Sequence, residues 1–406
     1  MSDDEQSNPV RTGELKRLLV ASEVAAAGGA LESAFSIRDI EEGLPEDATL
    51  QCQNEVLVRA DRALNTNPAN PERGTLRFQD AVETLYSHAE PALAKLARDP
   101  NPNLSPDETA ALEAIIIADG SRPSFLLNDG KPALDDPFLG TWKPLVHAHW
   151  PAIQKIARTV GRVQPAHGHA SRFLGTASLI DADKMLILTN YHVIDDARTK
   201  AGVAMTQNGR SITVEGQLEI DFIGESESLE TNRFRLVSVE LPLGFGRGHG
   251  GIDAAVARIE PLTPQSKLPS PVPKLSQAVH YANGAVHSLI TIGFPGPPPA
   301  SFGKSGSVDW HFVAKTLFGN KFGLKRMAPG AFISARGSHP LDPKATAFGH
   351  NATTFGGASG SLVIAWTDDG APAFGLHFSG ATEISNYALS LAAARDELAE
   401  IGVPLG

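Results

Sequence analysis

A helical N-terminal region followed by an all-β domain and a closing C-terminal helix is the fold class this sequence predicts, and three observations predict it. Before about residue 160 the apolar residues recur at helical spacing. After it, short β-branched and alternating runs are separated by glycine turns. The last apolar stretch, Ala388 to Glu400, returns to a helical pattern. Many short strands without intervening helices imply an antiparallel barrel or sandwich.

The elements follow in order. Residues 1–12 are polar and acidic, without periodicity, and are expected to be disordered. Residues 13–160 form the mainly helical region. Leu18, Val20, Val24 and Leu31 suit an amphipathic helix that Gly28 and Gly29 weaken. Further helices are expected over Thr75 to Ala97 and Leu145 to Thr159. Ser105, Pro106 and Glu108 supply a cap, a first-turn proline and a reciprocal glutamate ahead of the run Ala110 to Ala118, which Gly120 stops. Residues 161–406 form the second domain. Strands are expected at Thr176 to Ile180, Met185 to Thr189, Ile212 to Phe222, Phe234 to Glu240, Leu289 to Gly293, Leu362 to Trp366 and Ala373 to Phe378.

Composition narrows the function. With 406 residues, 42% of them hydrophobic, the chain can bury a substantial core. No apolar run reaches the length of a membrane span. Leu18 to Leu31 is interrupted by Glu23 and preceded by acidic residues, so it reads as a helix rather than a secretory signal. A net charge of -11 argues against nonspecific nucleic-acid binding. Cys52 is the single cysteine, so no intrachain disulfide forms, and a cytoplasmic location is expected. His147, His149, His167 and His169 lack the cysteines or His-Glu motif that would complete a metal set. Ile292 to Gly296 lacks the glycine spacing of a dinucleotide loop. No cofactor or metal is expected.

Three short contexts carry chemistry. A serine hydroxyl needs a neutral imidazole to take its proton and a carboxylate to orient that imidazole. His192 stands in Thr189-Asn190-Tyr191-His192-Val193, at the C-terminal edge of a strand. Asp253 heads the apolar strand Ala254 to Ala257. Ser359 lies in the small-residue loop Gly356-Gly357-Ala358-Ser359-Gly360-Ser361, which can turn the N–H groups of Gly357 and Ser359 toward one point and form an oxyanion hole. Alone, each has a bland alternative: a structural histidine, a turn aspartate, a glycine-rich β-turn. Together their order points to a serine hydrolase.

These motifs, with Gly375-Leu376-His377-Phe378, resemble trypsin-like serine peptidases of the chymotrypsin fold, closest to the bacterial glutamyl endopeptidase-like branch. The resemblance covers roughly residues 165–402. It implies a double β-barrel, a serine endopeptidase acting through an acyl-enzyme, and His192, Asp253 and Ser359 as its triad. It further implies that Thr354 and His377 line the primary specificity pocket and favour Glu or Gln at P1. Ala358 departs from the aspartate with which trypsin-type zymogens pair a liberated N-terminal amine, so that salt bridge cannot form. A protein or peptide substrate is the expected partner, together with a regulatory protein acting on the helical region. The competing reading is a catalytically silent peptide-binding module controlled by that region.

Overall fold

The computed structural model describes residues 57, 61, 75–98, 103–105, 107–108, 111, 123–133, 136, 139, 142–166, 168–170, 172–248, 251–270, 273–278, 288–297, 321–337, 342, 344–354, 356–365, 371–381 and 385–406. The expected disordered segment 1–12, the helix Leu18 to Leu31 and most of the run Ala110 to Ala118 lie outside them. The cap proposed for that run is present. Ser105 N–H donates to Glu108 Oε2 at 2.8 Å, and Glu108 N–H donates to Ser105 Oγ at 3.2 Å.

Helix α1 spans Leu76–Arg98. Strands β1 (Phe125–Asn128) and β2 (Lys131–Pro132) follow, then helix α2 (Lys143–Thr159), with Pro144 in its first turn. The first barrel comprises β3 (Val160–Pro165), β4 (Gly175–Asp181), β5 (Leu186–Thr189), β8 (Leu218–Asp221), β9 (Arg233–Glu240) and β10 (Ala255–Pro261). They pair in the order β10-β5-β4-β3-β8-β9, and β9 returns to β10, closing a ring. Helix α3 (Tyr191–Thr199) interrupts the succession, and the hairpin of β6 (Met205–Asn208) and β7 (Ser211–Val214) extends β9 outward.

The second ring has β11 (Ser288–Gly293), β14 (Leu362–Ala365), β15 (Ala373–Ala381), β16 (Ser385–Ser390), β13 (Ala347–His350) and β12 (Arg326–Ser334), closed by β11 against β12. Closure removes the unpaired strand edges that invite aggregation. Helix α4 (Arg395–Glu400) is the last helix, and Leu405 beyond it bridges to Leu275.

Two expectations change. The stretch Ile212 to Phe222 divides at residues 215–217 into β7 and β8. Of the expected helix Ala388 to Glu400, the first part is strand, since Ala388 and Leu389 pair with Phe348 and Ala347 to close the second barrel, and only Arg395–Glu400 is helical. Tertiary pairing overrides helical spacing here, because the second ring needs its last strand.

Strand alternation serves two cores at once. Val363 and Ala365 face the interior of the second barrel with Leu289, Phe348 and Phe374. Their neighbours Leu362 and Ile364 face the space between the barrels with Ile290, Ile292, Leu376 and Leu389. Burial on both faces explains why such strands read as unbroken apolar runs.

The inter-barrel core also takes Phe125 and Leu127 of β1, Val146, Ile153 and Ile156 of α2, and Leu398 of α4. Strand β1 pairs with β12, placing Phe125 opposite Met327. The chain before 160, expected to be mainly helical, therefore also contributes two short strands to the second sheet. Lys325, 1% exposed, fastens this segment. Its Nζ donates to Ala157 O in the last turn of α2 at 2.8 Å and to Phe222 O at 2.7 Å, and lies 3.7 Å from Glu225. Glu225 in turn accepts from Gly130 N–H, beside β2, at 3.0 Å.

Candidate active site

Antiparallel register brings the histidine and the aspartate together. Thr189 at the end of β5 pairs with Ala255 at the start of β10. Residues just after Thr189 and just before Ala255 therefore emerge at one end of the first barrel. The sequence placed His192 at a strand edge, but the strand ends at Thr189 and His192 lies in the first turn of α3. Asn190 makes the corner in an extended conformation, and its Nδ2 donates to Asp253 O at 2.6 Å.

Asp253 is 1% exposed, yet its carboxylate has three donors. Oδ1 accepts from His192 N–H at 3.0 Å, while Oδ2 accepts from Gly248 N–H at 2.8 Å and lies 2.8 Å from His192 Nδ1. A buried carboxylate is tolerated when its lone pairs are so occupied. Since an ionised carboxylate only accepts, Nδ1 carries the imidazole proton and Nε2 presents a lone pair. Asp195 and Asp196, the nearest other carboxylates, are held by Arg247, Arg198 and Lys200 on the outer side of α3.

The serine loop is built from the second barrel and held by the first. Gly357 and Gly360 have φ of 95° and 92°, a region glycine alone adopts without strain. A Cβ on Gly360 would collide with Thr176 O, and one on Gly357 with the Phe173 ring. The carbonyls of Gly356, Gly357, Ala358 and Ser359 each have a donor. Gly356 O accepts from Gly296 N–H at 2.6 Å, and Ser359 O accepts from Thr176 N–H at 2.8 Å. Gly357 O accepts from Thr176 Oγ1 at 2.8 Å. Ala358 O accepts from Ser361 N–H at 3.0 Å and Ser361 Oγ at 2.6 Å. Among the described residues, the N–H groups of Gly357 and Ser359 have no acceptor.

The two arms converge at Gly175. A Cβ there would meet Val193 Cγ2 at 2.7 Å and Ser359 O at 3.1 Å, so the backbone of β4 separates the residue after His192 from the serine. Ser359 itself is half-buried. Among the described residues no hydrogen bond joins its Oγ to His192 Nε2.

The two expected pocket residues flank β16. Thr354 Oγ1 donates to Asn386 Oδ1 at 2.7 Å, and His377 on β15 pairs with Ala388. His377 is 3% exposed, and its Nδ1 lies 3.3 Å from Nε2 of His350, which is fully buried. Burial first, and then the charge of His192, push the His377 pKa down to about 3 against a hydrogen bond with the Tyr387 backbone. Burial and the adjacent His377 hold His350 well below 6.5. Both rings are neutral near pH 7.

Several residues of this site carry no local sequence signal. Asn190 stood inside the histidine motif, but only the fold reveals its bond to Asp253. Thr176 and His350 sit in ordinary strand contexts, and their partners are 181 and 27 positions away, beyond any local pattern. Gly248 acts through its backbone N–H, which has no side-chain signature.

Two closed six-stranded rings, packed face to face with the candidate residues between them, define a chymotrypsin-fold serine protease homolog. Over 390 residues, 96% of this chain and 99% of its relative, the sequence is 50% identical to a probable serine protease of Lysobacter enzymogenes. The chain belongs to that serine-protease family and is a peptidase. No protein-family model matches it. More distant likenesses are the active form of the Rv3671c protease from M. tuberculosis and the secreted serine protease VesC from Vibrio cholerae. The former is 16% identical, with 65% of this chain and 87% of that chain covered and a TM-score of 0.35. The latter is 13% identical, with 61% and 47% covered and a TM-score of 0.39.

Proposed function

We propose that this peptidase is a serine endopeptidase whose triad is Ser359, His192 and Asp253, cleaving peptide bonds through an acyl-enzyme. The observation that carries the reading is the buried Asp253 carboxylate 2.8 Å from His192 Nδ1, together with a serine loop in which two N–H donors have no acceptor among the described residues. His192 Nε2 removes the Ser359 proton as Oγ attacks the carbonyl, and the oxyanion forms against the N–H groups of Gly357 and Ser359. The imidazolium then protonates the departing amine. Water, activated by the same imidazole, hydrolyses the ester. Substrate binding brings Oγ within hydrogen-bond reach of Nε2, since such bonds are often long or unformed in the free enzyme. Family membership favours this over a silent binding module.

A fluorophosphonate probe tests it. The full chain is expected to be labelled and to lose proteolysis in step, while folded Ser359→Ala takes no label. Equal labelling of both proteins would reject Ser359 as nucleophile.

For specificity we propose Glu or Gln at P1, with Thr354 and His377 in the pocket wall. Both residues border β16, which supports their sharing one pocket. With its proton on Asn386, Thr354 Oγ1 still has lone pairs for the amide of a glutamine, and a neutral His377 gives no charge to favour glutamate. Gln is therefore expected to equal or exceed Glu in peptide-library profiling, and Thr354→Val and His377→Leu to weaken cleavage after both while sparing probe labelling. Cleavage mainly after Arg, Lys, Phe or Ala, unchanged in both variants, would reject the pocket.

The division into residues 13–160 and a protease domain over 161–406 is part of this proposal, with a regulatory protein acting on the former. The cytoplasmic location also belongs here, supported by the single cysteine, Cys52. Among the described residues no helix is long and apolar enough to cross a membrane.

A further inference from the structure

We propose that the hydroxyl of Thr176, on the first barrel, is the positioning group that keeps the oxyanion-binding loop of the second barrel in its working shape. The inference rests on the reading of Ser359 as nucleophile and of the Gly357 and Ser359 N–H groups as oxyanion donors.

A trans peptide points its C=O and N–H in opposite directions. Where the two donor N–H groups aim is therefore set by what holds the carbonyls of their own peptides. Gly356 O, in the peptide that carries the Gly357 N–H, is held by Gly296 N–H at 2.6 Å. Ala358 O, in the peptide that carries the Ser359 N–H, is held by Ser361 N–H and Oγ. Between them lies the Gly357–Ala358 peptide, whose plane sets how the two donors face one another. Its intrinsic restraint is weak, because Gly357 has no Cβ and sits at φ 95°. Ala358 offers no side-chain polar group to hold it.

The restraint comes from Thr176. Its Oγ1 donates to Gly357 O at 2.8 Å and accepts from Phe294 N–H at 3.1 Å. The hydroxyl proton is thereby directed, since the amide can only donate and the carbonyl can only accept. Thr176 N–H also holds Ser359 O at 2.8 Å, and Thr176 O accepts from Thr189 Oγ1 at 2.7 Å. One residue of β4 thus grips the loop on both sides of the serine, and Thr189 at the foot of the histidine arm fixes that residue. Thr176 is fully buried, so its bonds do not compete with water. Without the hydroxyl, Gly357 O and Phe294 N–H are both orphaned, and the Gly357–Ala358 peptide is free to turn. A turned peptide misaligns the oxyanion donors without touching the cleft that binds the peptide ground state.

The test uses the full chain as Thr176→Val, which keeps the shape, and Thr176→Ser, which keeps the hydroxyl. Losing one oxyanion donor outright costs about 10²–10³ in kcat, so misalignment in Thr176→Val should cost roughly 10- to 100-fold in kcat with KM little changed. A peptide boronic acid built on the best-cleaved sequence forms a tetrahedral adduct and should weaken by a similar factor, while the affinity of the product peptide stays the same. Thr176→Ser should restore both. Should Thr176→Val fail to fold, Thr176→Ala measured against Thr176→Ser reads the same difference. Unchanged kcat in the hydroxyl-free variant, equal loss of boronate and product binding, or a serine variant as impaired as valine would each overturn the inference. Undiminished cleavage and boronate affinity in Ser359→Ala would overturn the nucleophile assignment itself, and the inference with it.

Discussion

A carboxylate 1% exposed is accommodated at Asp253 because three N–H groups meet it, two of them from His192. The same economy appears in reverse at His350 and His377, where burial leaves no room for a positive charge. An unfolded histidine takes up a proton near about pH 6.5, whereas folded His377 resists until about pH 3. Above 6.5 neither state is charged and the pair is neutral to stability. Below it the unfolded chain binds more protons, so stability falls as pH drops from 6.5 toward 3, by up to about 1.4 kcal/mol per pH unit for each histidine. His350→Gln should therefore show a shallower acid dependence in urea melts between pH 6.5 and 4 than the parent chain. Parallel slopes would mean that His350 is charged in the fold.

At the scale of elements, α2 and β1 precede residue 161 yet pack into the core between the barrels. Val146 and Ile153 of α2 and Leu127 of β1 are fully buried in the inter-barrel core, where each such side chain contributes about 1.5–3 kcal/mol. Lys325 has its ammonium on the last turn of α2, and cutting the chain there would leave that buried cation short of an acceptor. A fragment of residues 160–406 is thus expected to be insoluble or to melt well below a fragment of residues 123–406. Equal melting temperatures would show that α2 and β1 are dispensable. This element-level dependence was the least legible feature of the sequence. The amphipathic spacing of Leu145 to Thr159 identified a helix, but not that its apolar face meets both barrels. Strands of the catalytic end were readable because each borders a polar motif. By contrast β12, β13 and β16 carry Pro329, Gly330, Gly349 or small polar residues, and only their partners make them strands.

Across the whole molecule, the site exists only where the two rings meet. The first supplies His192, Asp253 and the grip of Thr176; the second supplies Ser359 and its loop. The order of three short motifs made that division visible from sequence, since each motif borders a strand and the chemistry restricts the residue types. What sequence could not reveal are the contacts across the interface, such as Thr176 to Gly357, which join residues 181 positions apart. The central claim, that Ser359 carries the acyl group, is tested most directly by acid-quenching the full chain during turnover of an activated peptide ester and locating the adduct by peptide mass spectrometry. An acyl mass is expected on the peptide containing Ser359, accumulating when deacylation is slow and absent in Ser359→Ala. Turnover at a normal rate with no adduct on any residue, or with the adduct on another side chain, would contradict it.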